Sequence, residues 1–314
     1  MQQSVNQRQP ASLPVAALRA LRPHQWVKNV LLLLPLLLAH VLPWHGHTAL
    51  RQWFAAVGGF TAFCLAASAI YLINDLKDLE VDRLHPTKRQ RPFASGALST
   101  RIGPPLICAL LAVAAALCAA LPWHFGASLA VYVTLGVAYS VWFKQRLLLD
   151  VFVLAGLYTL RLLAGGYAGS VEVSKWLLAF SIFFFVSLAF AKRYAELVLL
   201  SGVGQTEARG RSYDTGDLRL VESAGLASGY LAVLVMALYI NDTSSAASKL
   251  YTAPVFLWML CPLLMYWITR VWFVAGRKAL DDDPILFAIK DRVSWCTLVM
   301  AIAIVIAAWQ PWHT

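Results

Sequence analysis

The sequence consists largely of long apolar runs that follow one another from residue 27 almost to the C-terminus. Each run has roughly 17 to 24 residues, the length that a helix needs to cross a hydrocarbon core of about 30 Å. Of the 314 residues, 60% are hydrophobic and only 13% are charged, whereas about one quarter of a soluble domain is charged. The pattern predicts an all-α, polytopic membrane protein.

Nine transmembrane helices are predicted, and the first is the weakest because Pro35 and Pro43 interrupt it. Residues 1–25 are polar, so we expect a loose tail with a short interfacial helix around Val15 to Leu21, and no cleaved signal. Residues 26–314 are expected to form a single transmembrane catalytic domain. The nine predicted spans cover residues 27–43, 52–74, 104–122, 126–143, 147–168, 176–192, 222–240, 254–273 and 294–310.

The basic residues are divided unevenly between the two sides of these spans. Of the 26 Lys and Arg residues, 22 lie in the N-terminal segment and in alternate loops, while the opposite loops hold only Arg51, Lys175 and Lys249. The positive-inside rule then places the N-terminus and the charged loops in the cytoplasm, for a multi-pass protein of the inner membrane. The same bias explains the net charge of +10, so no nucleic-acid partner is expected.

An acidic cluster follows the second predicted span. Asp75, Asp78 and Asp82 stand at positions i, i+3 and i+7, so on a continuing helix they share one face, which Asn74 flanks. Carboxylates held this close repel one another, and a divalent cation removes the conflict. Mg²⁺ prefers a few carboxylates together with substrate phosphates, so we predict a magnesium site on these acids with Asn74 in support. The alternative is a solvated helix end with local ion pairs.

Basic residues near this cluster and at other helix ends are the candidates for binding phosphate. Lysine and arginine side chains can neutralise phosphate oxygens that a metal ion leaves uncovered. For some of them, membrane anchoring or orientation is the alternative role. The candidates for the donor phosphates are Arg83, Lys88, Arg89, Arg91, Lys144, Lys192 and Arg193.

Two further basic residues are candidates for a lipid phosphate. Arg161 lies inside a predicted span, where an unpaired arginine costs roughly 2.5–3.5 kcal/mol on insertion scales. We therefore expect it to face a cavity and meet an anion, the alternative being a partner on another helix. Lys28 stands at the mouth of the first span beside Trp26, where phosphate binding and interfacial anchoring are both open.

The pattern Asn-Asp-x-x-Asp-x-x-x-Asp at the end of the second span resembles the first Asp-rich motif of the UbiA superfamily of intramembrane prenyltransferases. The resemblance covers nearly the whole chain and implies a helical bundle around a central cavity open to the lipid. Further blocks resemble one branch of that superfamily, the polyprenyl-phosphate phosphoribosyltransferases, and decaprenyl-phosphate phosphoribosyltransferase above all. These blocks are Arg22–Asn29, Asn74–Gly96, Tyr139-Ser140 with Lys144 and Asp150, Ala191–Arg193, and Asp283-Pro284 with Asp291-Arg292.

The second half departs from the superfamily members that prenylate aromatic acceptors. Those enzymes repeat an Asp-rich DxxxD motif after a later span, but the loop from Ala191 to Arg219 is basic and lacks that spacing. One acidic cluster suggests one diphosphate-bearing, metal-bound substrate. The basic second half suits another anionic partner, such as a lipid phosphate.

By resemblance, the chain is expected to transfer 5-phosphoribose from phosphoribosyl diphosphate to a long-chain polyprenyl phosphate and to release diphosphate, with Mg²⁺ as cofactor. The product would be a furanose donor for an arabinose-type cell-wall polymer. Prenyl transfer from a prenyl diphosphate to an aromatic or other acceptor stays open as an alternative. A transporter with an acidic entrance fits poorly, because transporter sites usually lie near the bilayer midplane. The prenyl chain length and the oligomeric state stay open, a homo-oligomer included.

Overall fold

The computed structural model describes residues 13–44, 46–84, 87–202, 204, 212–242, 250–280 and 283–309. Within these ranges the secondary structure is helical and includes no strand, which confirms the all-α prediction. Eight helices there are long and apolar enough to cross a membrane. Some basic residues used for the predicted orientation lie outside the described ranges, namely Arg8, Arg209, Arg211 and Lys249.

Twelve α-helices are described, with short 3-10 segments between several of them. The 3-10 segments are Pro23–Leu33, Lys88–Gln90, Thr100–Ile102, Phe143–Gln145, Thr215–Asp217 and Pro254–Met259. The helices are α1 Leu13–Leu21, α2 Leu34–Leu38, α3 His47–Lys77, α4 Leu79–Leu84, α5 Gly103–Cys118, α6 Trp123–Val141, α7 Leu149–Gly169, α8 Lys175–Gly202, α9 Leu218–Asn241, α10 Leu260–Gly276, α11 Pro284–Lys290 and α12 Arg292–Trp309.

Eight of the nine predicted spans overlap long helices, and the first does not. Residues 27–43 instead fall on the 3-10 segment Pro23–Leu33 and on α2, which ends at Leu38. Pro35 lies in the first turn of α2, where its missing N–H leaves no hydrogen bond unmade. In the interior of a longer α-helix its ring would clash with the carbonyl one turn earlier. The short helix predicted near Val15 to Leu21 is present as α1.

Two compact units are each described by themselves. The first contains the described residues of Met1–Val141 and Ala164–Val171, and the second those of Trp142–Leu163 and Glu172–Thr314. The expectation of one catalytic domain over residues 26–314 stays a prediction.

Helix α3 is the centre of the first unit. It packs against α1, the 3-10 segment Pro23–Leu33, α5 and α6. Ala16 and Ala20 of α1 are buried against Ala69 and Leu72 of α3, because small side chains let helix backbones approach closely. Phe93, from the loop after α4, completes this cluster. The packing fixes the N-terminal segment and that loop against the end of α3.

In the second unit, α8 packs against α9 and α10. The indole N–H of Trp272 donates a hydrogen bond of 3.2 Å to the hydroxyl of Ser187 inside this contact. Arg270 donates two hydrogen bonds, of 2.7 and 3.0 Å, to the carboxylate of Asp291 before α12. This bidentate pair joins α10 to the start of the last helix.

Helix α7 approaches the 3-10 segment within the first unit so closely that a side chain is excluded at Gly165. A Cβ atom there would lie 2.0 Å from the carbonyl oxygen of Leu32. We predict that Gly165→Ala destabilises the protein by about 1–3 kcal/mol, because backbone must move to admit the methyl group. The measurement is the melting temperature of the purified protein in detergent.

The matched control is Gly156→Ala on the same helix, where an added Cβ meets no atom within 4 Å. Because alanine favours a helix over glycine by about 0.5–1 kcal/mol, this variant should melt at the same temperature as the wild type or higher. Equal melting temperatures for the two variants would contradict the close approach at Gly165.

Candidate active site

The helix that carries the acidic cluster continues through it with one local break. α3 ends at Lys77, Asp78 has φ −90° and ψ 11°, and α4 begins at Leu79. The backbone N–H of Asp78 still donates to the Asn74 carbonyl at 2.9 Å, and that of Asp82 to the Asp78 carbonyl at 2.8 Å. The predicted continuation of the helix is therefore present in the hydrogen bonding across the cluster.

Two of the three carboxylates are buried and are held by arginines of the same unit. Asp75 and Asp82 are each 2% exposed, whereas Asp78 is partly exposed. Oδ1 of Asp75 accepts hydrogen bonds from Nη2 of Arg22 at 2.5 Å and from Nη1 of Arg91 at 3.1 Å. The same Nη1 of Arg91 donates to Oδ2 of Asp82 at 2.6 Å. Arg91 therefore bridges two members of the predicted motif.

Arg22 is a residue of this cluster that the sequence pattern did not predict as a site residue. Its guanidinium lies on Asp75 and also over the ring of Tyr71, 5.3 Å from the centroid. Asp75 is 53 residues away in the chain, so no local pattern connects the two. The signal in the sequence that could have found Arg22 was the block Arg22–Asn29, which resembles the phosphoribosyltransferase branch. That resemblance assigned no role to Arg22 itself.

The other predicted donor-phosphate residues of this unit, Arg83, Lys88 and Arg89, are exposed. Arg83 pairs with Glu80 at 2.9 Å, and both side chains are largely exposed. Lys88 and Arg89 are exposed on the 3-10 turn that precedes Arg91. Their role in phosphate binding stays a prediction.

Whether a divalent cation fits this cluster can be judged from its donor atoms. Among the residues that the structure describes, no three His, Cys, Asp or Glu side chains converge as a metal-binding group. However, Oδ2 of Asp75 is buried and finds no hydrogen-bond partner within the described ranges, and such an atom is costly unless something supplies the missing interaction. Carboxylate and amide oxygens are also the ligands that Mg²⁺ prefers. The residues fit the ion, and the magnesium assignment stays a prediction.

In the second unit, Arg193 is the centre of a buried network. It is 1% exposed, and its Nε lies 3.3 Å from Oδ2 of Asp150, which is fully buried. Its Nη1 also pairs with the carboxylate of Glu196. Nη2 is buried and has no hydrogen-bond partner among the described residues.

Tyr213 completes that network from the segment before α9. Its hydroxyl donates to Oδ1 of Asp150 at 2.8 Å and accepts from the N–H of Leu148 at 3.0 Å. Burial raises the pKa of the Tyr213 hydroxyl above its ordinary value, and the hydrogen bond to Asp150 raises the pKa further. The hydroxyl therefore keeps its proton and remains a donor to the carboxylate. The network ties the turn before α7 to the segment before α9.

The remaining predicted basic residues lie in separate surroundings. Lys192 is 3.6 Å from Oδ2 of Asp283, whose Oδ1 also caps α11 through the N–H of Ile285. Arg161 is 5% exposed, donates to the carbonyl of Leu157 at 2.6 Å and lies over the ring of Tyr158. Lys144 lies on the 3-10 turn Phe143–Gln145 of the second unit, and Lys28 is buried on the segment Pro23–Leu33 of the first. Their predicted phosphate contacts stay predictions.

Residues 32–290 match the model of the UbiA prenyltransferase family. The chain belongs to this family. It is therefore a transferase of the membrane-embedded UbiA type, and this confirms the resemblance seen in the acidic motif.

Curated relatives cover most of the chain. The uncharacterised protein y4nM of Sinorhizobium fredii is 38% identical over 278 residues, which is 88% of this chain and 53% of that protein, so the chain spans about half its length. The nodulation protein NoeC of Azorhizobium caulinodans is 37% identical over 290 residues, which is 91% of each. The decaprenyl-phosphate phosphoribosyltransferase of Corynebacterium glutamicum is 32% identical over 293 residues, which is 90% of this chain and 83% of that one.

A solved structure shares the fold. The UbiA homolog from Archaeoglobus fulgidus, solved bound to GPP and Mg²⁺, superposes with a TM-score of 0.68 at 20% identity and covers 92% of this chain and 99% of its own. The predicted UbiA-like fold is thus confirmed.

The buried network around Asp150 leads to a prediction about stability. Tyr213→Phe removes one hydroxyl and leaves Oδ1 of Asp150 and the N–H of Leu148 without that partner. We expect a loss of about 1–3 kcal/mol, the usual cost of a buried polar group left unsatisfied. The measurement is again the melting temperature in detergent.

Tyr230→Phe is the matched control, because Tyr230 is 42% exposed and its hydroxyl bonds only at the surface, to Thr269. It should change stability by less than about 0.5 kcal/mol. If Tyr213→Phe were equally mild, the network would not stabilise this unit.

Proposed function

We propose that this UbiA family member transfers 5-phosphoribose from phosphoribosyl diphosphate to a long-chain polyprenyl phosphate and releases diphosphate. The observation that carries the proposal is the likeness over 90% of the chain to a decaprenyl-phosphate phosphoribosyltransferase. The resemblance of separate sequence blocks to the same branch supports it. In this reading, phosphoribosyl diphosphate and the lipid phosphate are the two substrates.

The donor diphosphate is assigned to the acidic cluster of the first unit. Asp75, Asp78 and Asp82, with Asn74 in support, would hold Mg²⁺, which when bound offsets the negative charge of the diphosphate. Arg91 already lies among these carboxylates, and its planar fork matches phosphate oxygens as well as carboxylates. Lys88 and Arg89 are on the same loop, where their exposed side chains suit the outer phosphate oxygens.

The reaction at the ribose needs no general base, because the acceptor is already a phosphate anion. An oxygen of the lipid phosphate forms a bond to C1 as the bond between C1 and the diphosphate oxygen breaks. The electron pair of the broken bond leaves with the diphosphate, and attack from the opposite side inverts C1. The protein contributes position and charge stabilisation for this step.

The lipid phosphate is assigned to Lys28 or Arg161, and Lys144, Lys192 and Arg193 stay candidates for phosphate binding within the second unit. Both lipid-phosphate candidates are buried basic residues, and basic residues inside a membrane protein often mark the path or the site of an anionic ligand. The unpartnered Nη2 of Arg193 is a hydrogen-bond donor that a phosphate oxygen would satisfy. Such a set of basic residues suits two anionic substrates.

Prenyl transfer to an aromatic or other acceptor is the second candidate function. It is favoured by the fold neighbour that was solved with GPP and Mg²⁺, since GPP also carries a diphosphate. The sequence pattern is less favourable to it, because the loop from 191 to 219 lacks a second DxxxD motif.

The assay that separates these functions uses purified protein, Mg²⁺, labelled phosphoribosyl diphosphate and polyprenyl phosphate. Label should appear in the lipid phase with the wild type. Asp75→Asn and Asp78→Asn should each lower the rate about 100-fold or more, because each removes a charged group that the donor complex needs. The control Glu80→Gln makes the same chemical change on the same segment, but at a side chain that is 82% exposed, and it should keep nearly full activity.

Absence of a labelled lipid with the wild type, together with conversion of a prenyl diphosphate and an aromatic acid, would replace the proposed function by prenyl transfer. Undiminished turnover in Asp78→Asn would contradict its metal assignment under either reaction.

We also propose that the acidic cluster faces the cytoplasm across the inner membrane. In a cysteine-free background, Glu172→Cys should react with an impermeant maleimide in intact cells, and Arg101→Cys only after lysis. Both positions are exposed in the structure, so both thiols can be labelled when the reagent reaches them. The reverse labelling pattern would invert the orientation that the basic residues predict.

A further inference from the structure

The carboxylates of the acidic cluster are paired with arginine side chains of the protein itself. Nη2 of Arg22 lies 2.5 Å from Oδ1 of Asp75, and Nη1 of Arg91 lies within 3.1 Å of Asp75 and 2.6 Å of Asp82. Two guanidinium groups therefore neutralise the two buried carboxylates. The arginine side chains themselves are about one fifth exposed, so they reach the carboxylates from the accessible side.

The arrangement is poorly suited to a purely structural ion pair. Both arginines donate to Oδ1 of Asp75, while Oδ2 of the same carboxylate is buried and has no hydrogen-bond partner in the described part of the chain. A buried ion pair stabilises a fold only when the remaining lone pairs are also satisfied. Asp75 thus keeps an unfilled coordination position on the carboxylate that the arginines share.

The backbone at Arg22 is held in an uncommon conformation by the same helix. Arg22 has φ 52° and ψ 59°, in the left-handed region that residues other than glycine rarely adopt. The hydroxyl of Ser68 donates to the Leu21 carbonyl at 2.8 Å and accepts from the indole of Trp26 at 3.0 Å, so bonds to one buried serine of α3 fix both sides of residue 22. Such strain persists only where the surroundings enforce it, and it often marks a functional position.

We propose that Arg22 and Arg91 are internal counter-ions that occupy the carboxylates in the absence of a divalent cation, and that Arg22 is a further donor-diphosphate residue. When a cation binds Asp75 and Asp82, both guanidinium groups are displaced and bind the diphosphate oxygens. Because the backbone of Arg22 is fixed, only its side chain moves. The inference rests on the proposed function only in that the donor carries a diphosphate.

The exchange requires no loss of charge-assisted hydrogen bonds. A guanidinium group pairs with a carboxylate or with a phosphate through the same fork of N–H groups. The arginines therefore compete with the cation when no donor is present and cooperate with it once the diphosphate is bound. Removing one arginine should therefore raise the affinity for the divalent cation alone and lower the affinity for diphosphate.

The test measures binding of Mn²⁺ alone, and then of inorganic diphosphate at saturating Mn²⁺, to the purified full-length protein in detergent. Unbound Mn²⁺ is counted by electron paramagnetic resonance, and diphosphate binding is followed by calorimetry. In Arg22→Gln and Arg91→Gln, the affinity for Mn²⁺ alone should rise about fivefold or more. The affinity for diphosphate should fall about tenfold, as for one lost charge-assisted hydrogen bond.

Arg19→Gln is the matched control, since it removes an exposed arginine from α1 and should leave both affinities unchanged. Arg22→Lys retains the positive charge but loses the fork. It should bind Mn²⁺ about as the wild type does and bind diphosphate more weakly. This variant keeps the test valid if Arg22→Gln does not fold.

Unchanged or weaker Mn²⁺ binding in the folded glutamine variants would overturn the counter-ion role. Unchanged diphosphate binding in Arg22→Lys would overturn the donor role of Arg22. Because neither measurement uses phosphoribosyl diphosphate or a lipid, a negative transfer assay would refute the proposed function while leaving this result intact.

Discussion

The burial of two carboxylates, Asp75 at the end of α3 and Asp82 on α4, is the constraint on which the rest of the first unit depends. An ionised carboxylate is tolerated in such a place only when it is paired and hydrogen-bonded. Asp75 and Asp82 obtain that pairing from residues far apart in the chain, with Arg22 before the first long helix and Arg91 after α4. The N-terminal segment and the loop after α4 must therefore both come to the same helix end, and the alanine-rich contact between α1 and α3 makes that approach possible.

The second unit also pairs a buried carboxylate with arginine. Here a single buried arginine, Arg193, contacts two carboxylates. One fully buried aspartate, Asp150, receives a guanidinium from Arg193 and a hydroxyl from Tyr213. Arg193 is buried and also pairs with the more exposed Glu196, and its Nη2 has no hydrogen-bond partner among the residues that the structure describes. An acidic cluster with an unsatisfied carboxylate oxygen suits a cation, whereas a buried guanidinium with an unsatisfied donor suits an anion. The two units thus differ in the kind of ligand that their buried polar atoms can accept.

The sequence predicted the parts of this fold that depend on local pattern. Long apolar runs located eight of the nine spans, because crossing a bilayer fixes both length and composition. The first predicted span falls on a shorter helical stretch, because at Leu34-Pro35 a 3-10 helix gives way to a short α-helix, a change that hydropathy does not register. The spacing of Asp75, Asp78 and Asp82 predicted a cluster on a helix. The helical backbone hydrogen bonds do continue there, from the Asp78 N–H to the Asn74 carbonyl and from the Asp82 N–H to the Asp78 carbonyl.

The pairing of charges could not be predicted in the same way. Arg22 and Asp75 are 53 residues apart, and Tyr213 and Asp150 are 63 apart, so each pair exists only because helices pack. The sequence named Arg91 as one of several basic residues near the acids that could bind the donor phosphates. In the structure Arg91 contacts Asp75 and Asp82, whereas Arg83, on α4, pairs with the exposed Glu80. Packing, which a list of charges does not contain, decides which arginine contacts the buried carboxylates.

The choice of arginine at these positions follows from where the site lies. A cluster of bare carboxylates beside the hydrocarbon region would be costly in the absence of ligand, and a cluster of bare cations would be costly once the diphosphate had left. If Arg22 and Arg91 exchange carboxylate for phosphate partners, the charges on Asp75 and Asp82 are balanced both before and after the donor binds. Lysine would keep the charge balance but could not offer the same planar pair of N–H groups to either partner. In the proposed exchange, an arginine on a fixed backbone changes its partner while every charge next to the membrane stays paired.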